Sequence, residues 1–319
     1  MTEINQRQLK WQARAVSVSC VVPVMNEAAA IVRFVQALTI FLKSFTDVYE
    51  IILIDDGSTD KTPEIIKHEL LSDKVRWIQF SRNFGKENAL TAGLHHATGE
   101  AILLIDADFQ HPFETARTFF EYWVQGYDMV YGVRENRDDE GYLKQKITRF
   151  FYRMMGKMSE VNIPVDAGDF RLLGRNVVDA LNQYGEQARF MKGLYACVGF
   201  KSKAVPYKVE KRTLGKSSFH FGKLFSLALT GIISFSDLPL RIWTVIGMFI
   251  SSISFIYALW IVFDTLHYGV NLPGYATIVV CILFFGGVQL LSIGILGEYI
   301  ARIFHEVKKR PLYIIKEKS

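Results

Sequence analysis

Residues Ala101-Ile-Leu-Leu-Ile-Asp106-Ala-Asp108-Phe-Gln110 pass in one step from an unbroken aliphatic run to two carboxylates one residue apart. Following Gly99-Glu100, the run suits a strand buried on both faces of a parallel sheet, and open α/β folds place ligands at the carboxyl ends of such strands. Two acids there are costly unless a cation comes to them. A divalent ion carrying phosphate fits, because hard cations take carboxylate oxygens and seldom fill their shell from protein alone. Asp-x-Asp by itself fits a solvated turn or a helix cap equally well, so its meaning depends on the rest of the chain.

Around it, short aliphatic runs at Val16 to Val24, Tyr49 to Ile54, Val75 to Phe80 and Asp128 to Val133 alternate with helical patterns near Glu27 to Lys43, Lys61 to Leu71, Lys86 to Ala97 and Phe113 to Gln125. This alternation predicts an α/β domain with a mostly parallel, Rossmann-like sheet covered on both faces by helices. The first strand ends in Pro23-Val-Met-Asn26-Glu27, where Asn26 reads as a helix N-cap. The second ends in Asp55-Asp56-Gly57-Ser58-Thr59-Asp60: acids able to accept from a base or ribose, a glycine for a tight turn, and Ser58 or Asp60 to cap the next helix. Three successive strand ends thus aim polar groups at one edge of the sheet.

The chain has 319 residues, 50% of them apolar, and the apolar residues are unevenly spread. Ile242 to Phe263 and Tyr275 to Gly297 are free of charge. At 1.5 Å per residue, each run reaches roughly 33 Å, enough for a hydrocarbon core of about 30 Å, and the two read as transmembrane helices. Lys216, Lys223 and Arg241 precede the first span, Arg302, Lys308, Lys309 and Arg310 follow the second, and the loop Asp264 to Gly274 has no Lys or Arg. The positive-inside rule then places the long N-terminal part and the C-terminus in the cytoplasm. Met1 to Ala15 is polar and does not read as a signal peptide. The net charge of +5 gathers near the spans, which suits anionic lipid headgroups, and no basic module interleaved with aromatics suggests nucleic acid. Cys20, Cys197 and Cys281 have no metal or disulfide spacing and read as reduced packing residues.

A basic stretch, Leu143 to Lys157, carries Lys144, Lys146, Arg149 and Arg153 among Phe and Met residues. It reads either as a solvated face or as a surface helix that meets lipid phosphates. The resulting organisation is a polar N-terminal tail (1–15), an α/β domain (16–215), an amphipathic interface region (216–239), two spans (240–301) and a basic cytoplasmic tail (302–319).

In combination, Val22-Pro-Val-Met-Asn26-Glu27, Ile54-Asp55-Asp56-Gly57-Ser58, Ser81-Arg-Asn-Phe-Gly85-Lys86, Asp106-Ala-Asp108-Phe-Gln110, Gly168-Asp169-Phe-Arg-Leu172 and Arg189-Phe-Met-Lys-Gly193 resemble the inverting A-fold (GT-A) glycosyltransferases of family 2. Leu240-Arg-Ile-Trp243 and Gly297-Glu298-Tyr-Ile300 carry the likeness to about residue 315. The subgroup it looks like is the bacterial polyprenyl-phosphate sugar transferases, in particular the bactoprenol glucosyltransferases of the GtrB type, relatives of dolichol-phosphate mannose synthase.

The resemblance implies that a sugar leaves its nucleotide diphosphate for the phosphate of an undecaprenyl or other polyprenyl carrier at the cytoplasmic leaflet of the bacterial inner membrane. Pro23, Asn26, Glu27, Asp55, Lys86 and Ala107 would line the nucleotide-sugar pocket. Asp106 would face the ribose or the metal, while Asp108 and Gln110 would hold Mg2+ or Mn2+ against the diphosphate. Arg134 matches the acceptor-phosphate arginine, with Lys144 and Lys146 beside it, and Arg212 and Lys216 match a mobile basic loop able to reach the donor. Asp169 stands where relatives have a candidate catalytic base, either accepting a proton or orienting sugar or acceptor. UDP-glucose is the favoured donor; UDP-N-acetylglucosamine, UDP-galactose, a UDP-aminoarabinose derivative and GDP-mannose are alternatives, and a silent nucleotide-binding scaffold is the reading from another class. The resemblance also implies a homo-oligomer, perhaps a tetramer, and two spans call for a separate flippase and a downstream glycosyltransferase. His111 and Phe109 depart from the Asp or Asn and the Leu usual at these positions, which puts the shape of the site in question.

Overall fold

The computed structural model describes residues 3–135, 167–186, 189–208 and 274–319, together with scattered helical positions between 246 and 268. Eight strands form one sheet in the order β7-β5-β6-β4-β1-β2-β3-β8. They are β1 (Val18–Val24), β2 (Tyr49–Asp55), β3 (Val75–Phe80), β4 (Ala101–Leu104), β5 (Met129–Arg134), β6 (Ala167–Gly174), β7 (Ser202–Tyr207) and β8 (Ile315–Lys318). The four central strands run parallel, as the aliphatic runs predict, and β6 and β8 join antiparallel.

Alternation along β1 sends Cys20 and Val22 to one face and Val21 to the other, and each face finds its own helices. On the first lie α2 (Ile31–Lys43) and α5 (Phe113–Val124), bringing Phe34, Leu38, Phe119 and Phe120. On the second lie α4 (Lys86–His96), α6 (Arg175–Gln183) and α7 (Met191–Cys197), bringing Leu90, Leu94, Val177 and Leu194. Between β2 and β3, the helix α3 (Thr62–Ile65) continues as a wider π turn, Ile66–Leu70. Each such apolar side chain, taken fully from water, contributes about 1.5–3 kcal/mol, so this two-sided burial dominates the domain's stability. The thiol of Cys20 is wholly buried in this core, where burial raises its pKa and leaves it a packing residue.

β4 is short. Its pairing with β1 stops at Val21 and Leu104, and Ile105 N–H makes a last bond to the Val21 carbonyl before the chain turns away at Asp106. Residues 21 and 23 of β1 face the same neighbour, so Pro23, which has no N–H to give, sits where no partner strand remains. Here the order of strands also reverses, with β2 on one side of β1 and β4 on the other, opening the crevice in which such sheets bind ligands.

Two terminal expectations need correction. Residues 1–15 are not merely a polar tail, because α1 (Glu3–Gln12) docks on the domain: Trp11 packs on Phe45 and Phe120, and the Arg7 guanidinium donates to the carbonyls of Trp123 and Tyr127. That cation sits at the carboxyl end of α5, where unpaired carbonyls attract positive charge. Nor is 302–319 a simple basic tail. The second apolar run forms the helix α8 (Tyr275–Val307), which continues past the expected span, and the chain then returns as β8 on the outer edge of β3. Contacts divide the chain into two compact units, with the last ten residues, Arg310–Ser319, belonging to the unit that holds the sheet. In the other unit, α8 exposes Ile282, Phe284, Leu290 and Ile293, a surface suited to lipid. The span expected at 242–263 lies largely outside the described residues, as do 144–146 and 209–245.

Helix α4 seats closely on β1: a Cβ at Gly93 would stand 2.1 Å from Val21 Cγ1. In an exposed helix, Gly→Ala gains about 1 kcal/mol, whereas overpacking a core costs about 1–3 kcal/mol. We expect Gly93→Ala to lower the midpoint of thermal unfolding; a rise would mean that the helix stands off the sheet.

Candidate active site

The crevice is walled by strand-end loops tied to one another by side chains. From the β1 loop, Asn26 accepts the Thr59 N–H (2.8 Å) of the β2 loop and gives its own backbone N–H to Ser58 Oγ (2.9 Å). Asn26 therefore bridges two loops from a left-handed backbone (φ +57°) and is not the N-cap of α2, a correction to the sequence reading. Asp60, expected as a cap of the next helix, lies one residue before the N-cap Lys61; it accepts the Thr62 N–H at the start of α3 (2.9 Å) and the Ala28 N–H of the β1 loop (3.3 Å).

From the β2 loop, Asp55 is fully buried and accepts the Ser58 N–H (2.8 Å), while its Oδ2 is buried without a hydrogen-bond partner. Burial raises its carboxyl above the usual range despite that bond. Asp56, read from the sequence as an acceptor for a base or ribose, instead draws in the β3 loop by accepting the N–H groups of Phe84 (2.7 Å) and Gly85 (3.0 Å). Gly57 between these partners has φ +71°, and a Cβ there would lie 2.4 Å from the Arg82 carbonyl carbon, so glycine is required by conformation and by space.

Helix α4 begins immediately after this loop and delivers Lys86. Its Nζ lies 2.6 Å and 2.7 Å from the two oxygens of Asp106 and 3.4 Å from Asp169 Oδ2. Burial opposes the ammonium charge, but Asp106 and then Asp169 hold it above the ordinary lysine range. Burial would likewise raise Asp106, but Lys86 and His111 hold it below the usual carboxylate range. Antiparallel pairing explains how Asp169 arrives: β6 opposes Arg171 to Leu104, so its preceding residues reach the level at which β4 ends. Arg134 comes to the same edge at the end of β5, exposed.

Next to Lys86, Glu87 was not singled out from sequence. Its carboxylate accepts the Met191 N–H (3.0 Å), fastening the Arg189-Phe-Met-Lys-Gly193 turn to α4, and burial followed by the Asp169 charge pushes it up to about 7. Arg171 is buried behind Asp169 with its guanidinium over the rings of Tyr195 (4.2 Å) and Tyr131 (5.1 Å). The family-like motifs contain both Lys86 and Arg171, but no local periodicity pointed to Glu87 or Tyr195.

His111 has a definite place. Its ring is buried, stacks on Phe170 at 4.4 Å and 4°, and its Nδ1 accepts the Asp106 N–H (3.2 Å), which leaves the proton on Nε2 in the neutral form. Burial lowers its pKa. Together with Phe109 at φ +59° and the Gln110 N–H bonded to Asp108 Oδ1 (3.1 Å), it shapes the turn that presents Asp106 and Asp108.

The cavity in the crevice is about 270 Å³ and is lined by Pro23, Glu27, Lys86, Asp106, Ala107 and Asp108, with Met25, Asp56 and Asn83 added. Asn26 and Asp55 support this wall without lining it. Arg212, Lys216, Lys144 and Lys146 lie outside the described residues. Among the described residues, no three carboxylate, imidazole or thiolate groups converge to make a closed metal cage. Asp106 and Asp108, two of the four carboxylates that line the cavity, form instead an open, hard-oxygen donor set of the kind a divalent cation completes with water or phosphate.

Comparison with known proteins identifies the family and the fold. Glycosyl transferase family 2 matches residues 19–181, and the GtrB C-terminal hairpin matches residues 238–303. The chain is 47% identical over 301 residues to the SfII prophage-derived bactoprenol glucosyl transferase of Shigella flexneri, covering 94% of this chain and 97% of the relative. Identity to an uncharacterized glycosyltransferase of Synechocystis is 43% over 303 residues, 95% of each chain. Glucosyl-3-phosphoglycerate synthase from Mycobacterium tuberculosis, solved with Mn2+, uridine diphosphate and phosphoglyceric acid, shares the fold: TM-score 0.51 and 16% identity, covering 73% of this chain and 81% of that one. A family match that starts inside β1 and runs through β6 into α6, followed by the hairpin, makes this chain a member of glycosyltransferase family 2 with the GT-A-like fold and a GtrB-type C-terminal region.

Proposed function

We propose that the chain transfers glucose from UDP-glucose to undecaprenyl phosphate, with inversion, at the cytoplasmic face of the bacterial inner membrane. The observation that carries this reading is the near full-length similarity to bactoprenol glucosyl transferases, which extends through the C-terminal hairpin as well as the catalytic domain. A lipid acceptor needs an enzyme held at the membrane, and the exposed apolar face of α8 supplies such an anchor. Both termini lie in the cytoplasm in this reading, on the charge distribution around the two spans.

In the reaction a phosphate oxygen of the lipid attacks the anomeric carbon, forming the new C–O bond as the bond to the UDP β-phosphate breaks. That oxygen is already anionic at neutral pH and needs little activation, so the protein's work is positioning and charge compensation. The walls formed by Pro23, Glu27 and Ala107 hold the nucleotide, with Asn26 and Asp55 fixing the loops behind them. Asp108, with Gln110 and Asp106, would hold Mg2+ or Mn2+, and the solved relative of the same fold holds Mn2+ with UDP. When bound, the cation stabilises the negative charge that grows on the departing diphosphate. Lys86 adds a fixed positive charge beside Asp106 and Asp169. Asp169 orients the sugar or the acceptor, or accepts a proton, and Arg134 binds the acceptor phosphate.

The deciding experiment incubates the purified protein with labelled UDP-sugars and GDP-mannose, Mn2+ or Mg2+, and undecaprenyl phosphate. Lipid-linked glucose is the expected product, and no lipid-linked sugar from any donor would overturn the reading. In the same assay we expect Asp169→Asn to reduce turnover by about 10²- to 10⁴-fold with UDP binding retained. Unchanged turnover would remove Asp169 from the mechanism. Asp108→Asn should raise the Mn2+ concentration needed for half-maximal turnover, which a metal titration reads directly.

A further inference from the structure

The chain's last residues leave the helix α8 and return to the sheet at one particular place, the outer edge of the strand that feeds the β3 loop. β8 pairs Lys318 with Ile78, Glu317 with Gln79 and Ile315 with Phe80, with a register shift between the last two pairs. The ends are fixed as well: Ser81 N–H donates to the Ile314 carbonyl (2.9 Å), Ser319 N–H to the Trp77 carbonyl (2.9 Å), and Trp77 N–H to Ser319 Oγ (2.8 Å). Just before the strand, the Tyr313 ring stacks on Phe80 at 4.9 Å and 12°, and its hydroxyl reaches His95 Nδ1 on α4 (3.2 Å).

Phe80 is buried and meets Phe84 edge-on at 5.8 Å. Phe84 and Gly85 are the two residues whose N–H groups Asp56 holds, and Lys86 follows at once with its ammonium between Asp106 and Asp169. Tyr313 thus touches both ends of the segment that carries Lys86: the strand before it through Phe80, and the helix after it through His95. Edge pairing alone would explain β8 as a cover for exposed backbone groups. It does not explain an aromatic ring placed against a side chain that packs on the loop, with a hydroxyl bonded to the following helix.

We propose that the C-terminal strand and Tyr313 are positioning elements of the donor pocket, holding the Ser81–Lys86 loop in the conformation that binds the nucleotide. The proposal rests on the reading of the crevice as the donor site and deepens it: the segment leaving the membrane helix completes the nucleotide pocket. Tyr313 stands outside the lining of the cavity and acts through Phe80 and Phe84.

The test uses full-length protein in detergent, with UDP and Mn2+ as the binding probe. Tyr313→Ala should weaken UDP by about two- to twelvefold, the range expected when one more side chain's worth of order must be imposed on binding. Tyr313→Phe, which keeps the stacked ring, should bind UDP as the parent does. Amide exchange measured without nucleotide should quicken at Phe84 and Gly85 in Tyr313→Ala while the amides of β1 and β2 keep their protection. Parental UDP affinity in Tyr313→Ala, or unchanged exchange at Phe84 and Gly85, would overturn the proposal. If the parent protein itself binds no UDP, the donor reading fails, and the exchange comparison still decides whether Tyr313 orders the loop.

Discussion

One ammonium group, that of Lys86, stands between two carboxylates brought from different strands. Asp106 comes from the end of β4 and Asp169 from the antiparallel β6, and without a cation their partly buried charges would repel at the edge of the sheet. Everything that fixes Lys86 therefore bears on the site: Asp56 pulls in the loop before it, Glu87 ties the helix after it to α7, and Gly57 makes room for the loop to lie down. The crevice itself follows from a simpler constraint. β4 ends early, and Pro23 on its neighbour has no N–H left unpaired by that ending.

The turn holding the two acids is built from residues that looked like departures. His111 would be an awkward ionisable group near a cation, yet its Nδ1 is occupied by the Asp106 N–H and its ring is closed between Phe170 and Tyr207. It is a neutral wedge that fixes backbone, and its buried neighbours favour that state. Phe109 accepts a left-handed conformation at the tip of the same turn and packs on Phe34, so its ring has an apolar home. The changes from the usual residues alter how the turn is supported, while Asp106 and Asp108 still line the cavity.

Most of the central sheet was legible because burial writes a local pattern. The runs at β1 through β5 agree with the observed strands to within one or two residues, and the acids at their ends fall on one edge. Asn26, Asp60 and Asp56 show where local reading stops. A polar residue after a strand is equally able to cap a helix or to bridge two loops, and all three bridge loops, Asp60 bonding the start of α3 as well. α1 and β8 were missed for a related reason. Their short polar sequences carry little periodicity, and they are ordered by contacts far along the chain, Trp11 on Phe120 and Tyr313 on Phe80.

By itself, the sequence determined the alternation of strands and helices, the apolar runs long enough to span a bilayer, and the carboxylates that gather at the strand ends. Those properties depend on neighbours a few positions apart. Tertiary structure alone decided that Lys86 bridges Asp106 and Asp169, that Glu87 anchors the 189–193 turn, that His111 is a buried neutral support, and that the C-terminus closes the edge beside the pocket. Such partners meet only after the sheet has set the order and direction of its strands. Hydrogen bonds and ion pairs act over a few ångströms and leave no trace in the spacing of residues that are distant along the chain.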